Sequence, residues 1–279
     1  MPIYVNTNIA SLIAQNNLSN SQASLQTSLQ RLSSGLRINS AADDPAGLAV
    51  ATDMTSVING DNQAINNANN GISMAQTAGG ALQQLTNNLQ TIRTLAVEAA
   101  NGTYTDTQRS QLQAEVDQLT QENSQIIQTT NFNGVALFSA STTLTFQIGA
   151  SGVASNQVAL SSTVLTGLSS YASSLTATGT INISTSAGAS AALSALDGDI
   201  NTVVTNEATW GAVQNRFQTA VANLTNYVQN LTAAQGQIMD ANFAAETANL
   251  TKNQVLQQAG TAILAQANAL PQLALTLLR

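Results

Sequence analysis

The chain has no cysteine and no histidine in its 279 residues. That excludes disulfides, thiol chemistry and zinc centres built on either residue. It also removes the Ser-His-Asp and Cys-His arrangements of nucleophilic catalysis. Charge is scarce too. Charged residues make up 8% of the chain, against about 25% in an ordinary soluble protein, and none occurs between Glu122 and Asp197. The net charge of −7 comes from 14 acids and 7 bases, with Lys252 the single lysine. Seven scattered cations do not build a basic face, so no nucleic-acid partner is expected. No stretch approaches about 18 consecutive apolar residues, so no membrane span is expected. The first residues, Met1-Pro2-Ile3-Tyr4-Val5-Asn6, lack the cationic and long apolar regions of a secretory signal. The Gly149–Gly152 stretch is not followed by lysine and a helix, which excludes a phosphate loop, and no cofactor is expected. An enzyme is therefore not the expected class.

Polarity comes instead from amides, 30 Asn and 28 Gln, beside an apolar content of 43%. The dominant pattern is heptad spacing. From Leu193 to Ile238, steps of three and four visit fourteen positions, eleven of them apolar, with Glu207, Gln214 and Gln235 the exceptions. A helix over these 46 residues would be about 70 Å long. Leu82, Leu85, Leu89, Ile92 and Ala96 form a second seam, and Leu112, Val116, Leu119 and Ile126 a third. Trp210 falls on the first seam and reads as core.

The breaks are legible as well. Asp44 before Pro45 suits a helix start, and the Asp43-Asp44 pair reads as loop and cap rather than as a site. Asn101-Gly102 ends a helix, and Thr105 with Gln108 forms a capping box. Asn133-Gly134 is a turn. Gly79-Gly80 sits awkwardly inside a helical pattern, costing about 1 kcal/mol per glycine. Between about 140 and 190 the period falls to two. Leu144, Phe146 and Ile148 alternate with polar residues, then Val158 and Leu160, then Ile181 and Ile183, which predicts short hairpins.

Each end carries an apolar stripe: Leu18, Leu25, Leu29, Leu32 and Leu36 after Ile9, Leu12 and Ile13, and Leu256, Ala259, Ile263, Ala267, Leu270 and Leu273 at the other end. Ordering such a segment alone costs more conformational entropy than its few aliphatic side chains return, so each stripe needs the other and neighbouring molecules.

Several motifs are specific. Leu32-Ser33-Ser34-Gly35-Leu36-Arg37-Ile38-Asn39 with Asp43-Asp44-Pro45-Ala46-Gly47-Leu48-Ala49 resembles the N-terminal signature of bacterial flagellins. Gly71-Ile72-Ser73-Met74-Ala75-Gln76-Thr77, Gln113-Ala114-Glu115-Val116-Asp117-Gln118-Leu119 and Phe132-Asn133-Gly134 continue the likeness in order. Phe243-Ala244-Ala245-Glu246-Thr247-Ala248-Asn249-Leu250 and Gln254-Val255-Leu256-Gln257-Gln258-Ala259-Gly260 resemble the C-terminal signature. The likeness covers roughly 1–140 and 195–279.

The resemblance implies a mainly α fold, a long antiparallel helical bundle and coiled coil with short β-hairpins in the central segment. Residues 1–44 and 240–279 would pair as a terminal coiled-coil core domain. Residues 45–239 would form a helical rod domain with β-hairpins at about 140–190. It implies a structural subunit that polymerises into the helical flagellar filament for swimming motility. That subunit would be secreted by the flagellar type III export apparatus, meeting an export chaperone, cap proteins and hook-junction proteins, with copies of itself in an open helical filament. Leu18, Leu25, Leu29, Leu32, Leu36, Leu256, Ala259, Ile263, Leu270 and Leu273 would line the core helices and subunit interface. Innate-receptor contacts would fall at Leu95 and Glu115, although Thr91 stands where the family commonly has a basic residue. Gly79 replaces a usual acid, Asn242 a usual Asp, and Ala234-Gln235-Gly236-Gln237 lacks the usual basic residues. A second class, a flagellin-like surface protein binding a polysaccharide through its amides and hydroxyls, has only Trp210 and a few tyrosines as aromatic platforms.

Overall fold

In the computed structural model, residues 7–174 and 179–277 are described, with side chains up to residue 269. The chain is mainly α-helical. It runs α1 (Ile9–Ser34), α2 (Pro45–Ala100), α3 (Asp106–Thr129), β1 (Asn131–Phe132), β2 (Val135–Ala136), β3 (Thr143–Gln147), β4 (Gln157–Ser161), α4 (Ser186–Met239) and α5 (Phe243–Leu277). The helix starts follow their sequence signals. Asp44 Oδ1 accepts the N–H of Gly47 at 2.9 Å and caps α2. Thr105 and Gln108 form the reciprocal capping box of α3. Asn133 and Gly134 both take positive φ, 50° and 81°, between the antiparallel β1 and β2. Gly35 closes α1 in the left-handed conformation at φ 74°.

The chain packs as two compact units, Met1–Ser56 with Gln229–Arg279, and Val57–Val228. In the second unit, Leu82, Leu85, Leu89 and Ile92 of α2 meet Val116 and Ile127 of α3 and Leu196, Val203 and Trp210 of α4 in one core. β3 and β4 form a five-residue antiparallel hairpin, Thr143 opposite Ser161 and Gln147 opposite Gln157. It sets Phe146 edge-on to Phe217, centroids 5.2 Å apart. The third alternating segment departs from the sequence expectation. Ile181 and Ile183 are buried but form no strand. The Gln113 amide donates to Ile181 O at 3.0 Å and accepts from Ile183 N at 2.6 Å. A side chain of α3 thus takes the place of a partner strand, which satisfies the same backbone groups without a ladder.

Two residues in this unit carry predictions. A Cβ on Gly71 would lie 2.6 Å from Cε2 and 2.7 Å from Cζ of the fully buried Phe217 ring. The Gly71→Ala chain will be destabilised by up to about 2 kcal/mol in denaturant titration, because overpacking outweighs the helix propensity alanine gains.

Asp199 on α4, only 6% exposed, accepts the backbone N–H groups of Ser169 and Ser170, both at 3.1 Å. Burial pushes its carboxyl above the usual range, and the two backbone hydrogen bonds only partly oppose this. A raised folded-state value means the native chain holds this proton more tightly than the unfolded one. Its contribution is therefore fully present below the ordinary carboxylate range and lost as pH rises through the raised value. The slope of stability against pH just above the ordinary carboxylate range will be shallower in Asp199→Asn than in the parent. Asp199→Ala, which orphans both amides, will cost about 2–3 kcal/mol at neutral pH.

Candidate functional site

The first unit carries the candidate site, the surface of α1 and α5. The two helices run antiparallel and are pinned at both ends. Asn8 caps α1, accepting from Ser11 N at 3.2 Å, and its amide donates to Ala267 O at 2.8 Å. At the other end Leu36 bridges Asp240, Arg37 N donates to Met239 O at 2.6 Å, and Ala241 N donates to Gly35 O at 2.9 Å. Asn242 caps α5, accepting from Ala244 N and Ala245 N at 3.1 Å. Gln235 takes part from α4, donating to Ala51 O at 3.3 Å and to Thr55 Oγ1 at 2.6 Å.

Apart from Arg31, the less exposed positions of α1 are Ser11, Ala14, Leu18, Ser21, Leu25, Ser28 and Leu32, spaced alternately by three and four. Those of α5 are Glu246, Leu250, Asn253, Gln257, Gly260, Leu264 and Ala267, with the same spacing. This is a coiled-coil seam, in which nine small or polar residues are interspersed with five leucines. A Cβ on Gly260 would reach 3.4 Å from Leu18 Cδ1, so the α5 backbone approaches α1 closely there. Other aliphatic side chains lie outside the seam. Ile9, Leu12 and Ile13 are 52–56% exposed, Leu29 49%, Val255 58%, Leu256 45% and Ile263 58%. Leu18, Leu256, Ala259, Gly260 and Ile263 line a groove of about 450 Å³ between the helices.

The residues expected at the subunit interface therefore separate into two sets. Leu18, Leu25 and Leu32 sit half-buried in the seam, with Leu36 half-buried at its end. Leu29, Leu256, Ala259 and Ile263 are exposed. The side chains of Leu270 and Leu273 lie outside the described residues. The seam serines Ser11, Ser21 and Ser28 escaped an apolar search. Their signal was the heptad spacing of small residues from Ser11 through Ala14, Ser21 and Ser28. Of the expected receptor contacts, Glu115 is exposed on α3, whereas Leu95 belongs to the core at 8% exposure.

The Asp43 carboxylate accepts from Asn39 N, Ser40 N and Ser40 Oγ at 2.9–3.1 Å. The Ser40 hydroxyl, then these backbone amides, hold it below the usual carboxylate range. It closes the loop before α2. Among the described residues no cluster of His, Cys, Asp or Glu could hold a metal, and no helix is long and apolar enough to cross a membrane. An apolar surface this extensive on a helix pair is the physical signature of an interface.

Comparison with known proteins points the same way. A family model described as the bacterial flagellin N-terminal helical region matches residues 5–143, and one described as the C-terminal helical region matches residues 193–278. A flagellar filament 33 kDa core protein of Treponema phagedenis is 37% identical, over 99% of each chain. Flagellin B of Vibrio cholerae serotype O1 is 32% identical over the whole of both chains. The crystal structure of a Bacillus cereus flagellin aligns with a TM-score of 0.50 at 28% identity, covering 61% of this chain and 94% of that one.

Proposed function

This chain belongs to the bacterial flagellin family, and from that membership we propose how its terminal helices make it a polymer. It is a structural subunit of the flagellar filament, an extracellular assembly that serves swimming motility. The observation that carries our reading is how the side chains of α1 and α5 divide: a seam in which small and polar residues outnumber half-buried leucines, and a set of exposed aliphatic side chains outside it. Nine of the fourteen seam positions are Ser, Ala, Gly, Asn, Gln or Glu and the five leucines there are only half-buried, so the pair alone gains little on ordering. Contact with neighbouring copies supplies the rest. Ile9, Leu12 and Ile13 are exposed on α1 and Leu256, Ala259 and Ile263 on α5. Joining unlike patches is heterologous and does not close into a ring, which yields an open helical fibre.

On this reading residues 1–44 with 240–279 act as the terminal core domain and 45–239 as the rod. Leu18, Leu25, Leu32 and Leu36 hold the pair together, while Leu29, Leu256, Ala259 and Ile263, with Leu270 and Leu273, meet other copies. The chain has no catalytic role. It is secreted through the flagellar type III export apparatus after release from an export chaperone, and meets cap and hook-junction proteins at the fibre ends. Glu115 offers an innate receptor more surface than Leu95 does.

The test combines electron microscopy with amide exchange on the purified chain. Addition of sheared filament seeds should produce fibres. The amides of α1 and α5 should exchange quickly in the dilute monomer and slowly in the fibre. A monomer that ignores seeds, and whose terminal amides are already protected, overturns the proposal.

A further inference from the structure

Four Asn-Gly steps occur in the chain, at Asn59, Asn70, Asn101 and Asn133. Glycine is the least obstructive residue to follow asparagine, because no Cβ shields its peptide nitrogen. The structure sets the four apart. Gly60 and Gly71 lie inside α2, where their N–H groups belong to the helical ladder. Asn133 and Gly134 are held at positive φ between β1 and β2. Among the described residues no hydrogen bond reaches the Asn133 carboxamide or its main-chain carbonyl. Asn101 differs on every count. It is exposed, with Gly102, just beyond the end of α2. The Gly102 N–H has no partner among the described residues, and a Cβ there would meet nothing within 4 Å. Both oxygens of Asn101 accept hydrogen bonds. Its side-chain Oδ1 takes the Thr103 N–H at 3.3 Å. Its main-chain oxygen takes Arg109 Nη2 at 3.1 Å and the Tyr104 N–H at 3.3 Å.

The Asn101 carbonyl and the Gly102 nitrogen share one peptide bond. Charge left on that nitrogen when it loses its proton spreads onto the oxygen that Arg109 holds. The guanidinium therefore favours the deprotonated peptide, which is the nucleophilic form. The Thr103 N–H turns the carboxamide toward the residues that follow and polarises its C=O. The same donor serves the negative oxygen that forms when the carboxamide is attacked. We propose that Asn101 is a self-modification site, at which the chain converts its own asparagine into aspartyl and isoaspartyl residues. The Gly102 nitrogen attacks Asn101 Cγ. The N–Cγ bond forms, the Cγ–Nδ2 bond breaks, and the Gly102 proton leaves with the amide as ammonia. Water, the sole co-reactant, then opens the five-membered imide at either carbonyl. Opening at Cγ gives aspartate. Opening at the main-chain carbon gives isoaspartate, whose chain runs on through Cβ. Either product puts a carboxylate just beyond the C-terminal end of α2, and the second also shifts the carbonyl that Arg109 holds.

The test ages the purified full chain in mildly alkaline buffer and follows each site by peptide mapping and mass spectrometry. In the folded chain Asn101 should convert at least about ten-fold faster than Asn133. Asn59 and Asn70 should be slower still, since their glycine nitrogens react only when the helix opens. In denaturing urea, where no fold separates them, the four steps should react within about two-fold of one another. Isoaspartate should form at residue 101, because the imide is its source. Arg109→Ala, aged well below its melting temperature, should slow Asn101 at least about three-fold and leave Asn133 unchanged, whereas a merely loosened loop would react faster. Equal rates at Asn101 and Asn133 in the folded chain overturn the proposal, as does a preference for Asn101 that persists in urea. Conversion to aspartate alone overturns it too. An unchanged or faster rate in Arg109→Ala overturns the part given to the guanidinium.

Discussion

A chain lacking residues 1–30 will keep a folded central unit and will not polymerise. The truncation removes most of α1, and with it the exposed Ile9, Leu12, Ile13 and Leu29. It also removes the Asn8 amide that fixes the α1–α5 register through Ala267 O. The core of Leu82, Leu85, Leu89, Val116, Leu196, Val203 and Trp210 lies wholly within Val57–Val228 and loses nothing. Circular dichroism should therefore retain a cooperative melt, while the concentration needed for seeded growth should rise more than about 100-fold, corresponding to loss of at least about 2.7 kcal/mol per contact. A point version separates surface chemistry from helix loss. Leu256 and Ile263 are 45% and 58% exposed in the isolated chain, so Leu256→Asp/Ile263→Asp should shift monomer stability by less than about 1 kcal/mol. In a fibre the same carboxylates would be stripped of water without partners, at a cost of several kcal/mol. Normal fibres from either chain, seen by sedimentation and microscopy, would sink the role given to these helices.

Local chemistry was legible in the sequence where a few neighbouring residues decide the outcome. The Thr105–Gln108 capping box, the Asp44 cap and the Asn133–Gly134 turn all stand where their residues pointed. The long heptads of α2 and α4 continue through Gly79-Gly80 and Gly211 because core contacts on the opposite faces outweigh glycine's poor propensity. Two things escaped, for physical reasons. Alternation at Ile181 and Ile183 signals an extended, half-buried backbone, and it cannot tell a strand partner from a side chain such as Gln113. At the site, a search for apolar periodicity finds the Leu256–Ile263 face. It passes over the Ser11–Ala14–Ser28 seam, because close helix approach selects small residues rather than oily ones. Reading both periodicities on one helix separates the contact made within the molecule from the apolar surface left exposed.

Arg109→Ala will lower the melting temperature of the central unit by about 8–15 °C. Arg109 lies in the first turn of α3 and is only 6% exposed, a rare degree of burial for a cation. Its Nε donates to Ala99 O at 2.8 Å and its Nη2 to Asn101 O at 3.1 Å. Ala99 lies in the last turn of α2 and Asn101 just beyond it, where the Asn101 carbonyl also accepts from Tyr104 N at 3.3 Å and the helix dipole favours a positive charge. Nη1 completes the fork on Asp106 Oδ1 at 2.9 Å. Truncation deletes two charge-assisted bonds to backbone acceptors at about 1.5–3 kcal/mol each, roughly 3–6 kcal/mol in all. In a unit of this size each kcal/mol moves the midpoint by about 2–4 °C. Arg109→Lys should recover little, since one ammonium on a flexible stem cannot serve three acceptors set for a planar fork. Asp106→Asn should cost less than about 0.5 kcal/mol, because that carboxylate is 87% exposed and its pair is screened by water. A calorimetric series in which Asp106→Asn falls as far as Arg109→Ala would place the stabilisation in the ion pair. The geometry puts it in the two carbonyls, where a single guanidinium ties the end of one helix to the start of the next.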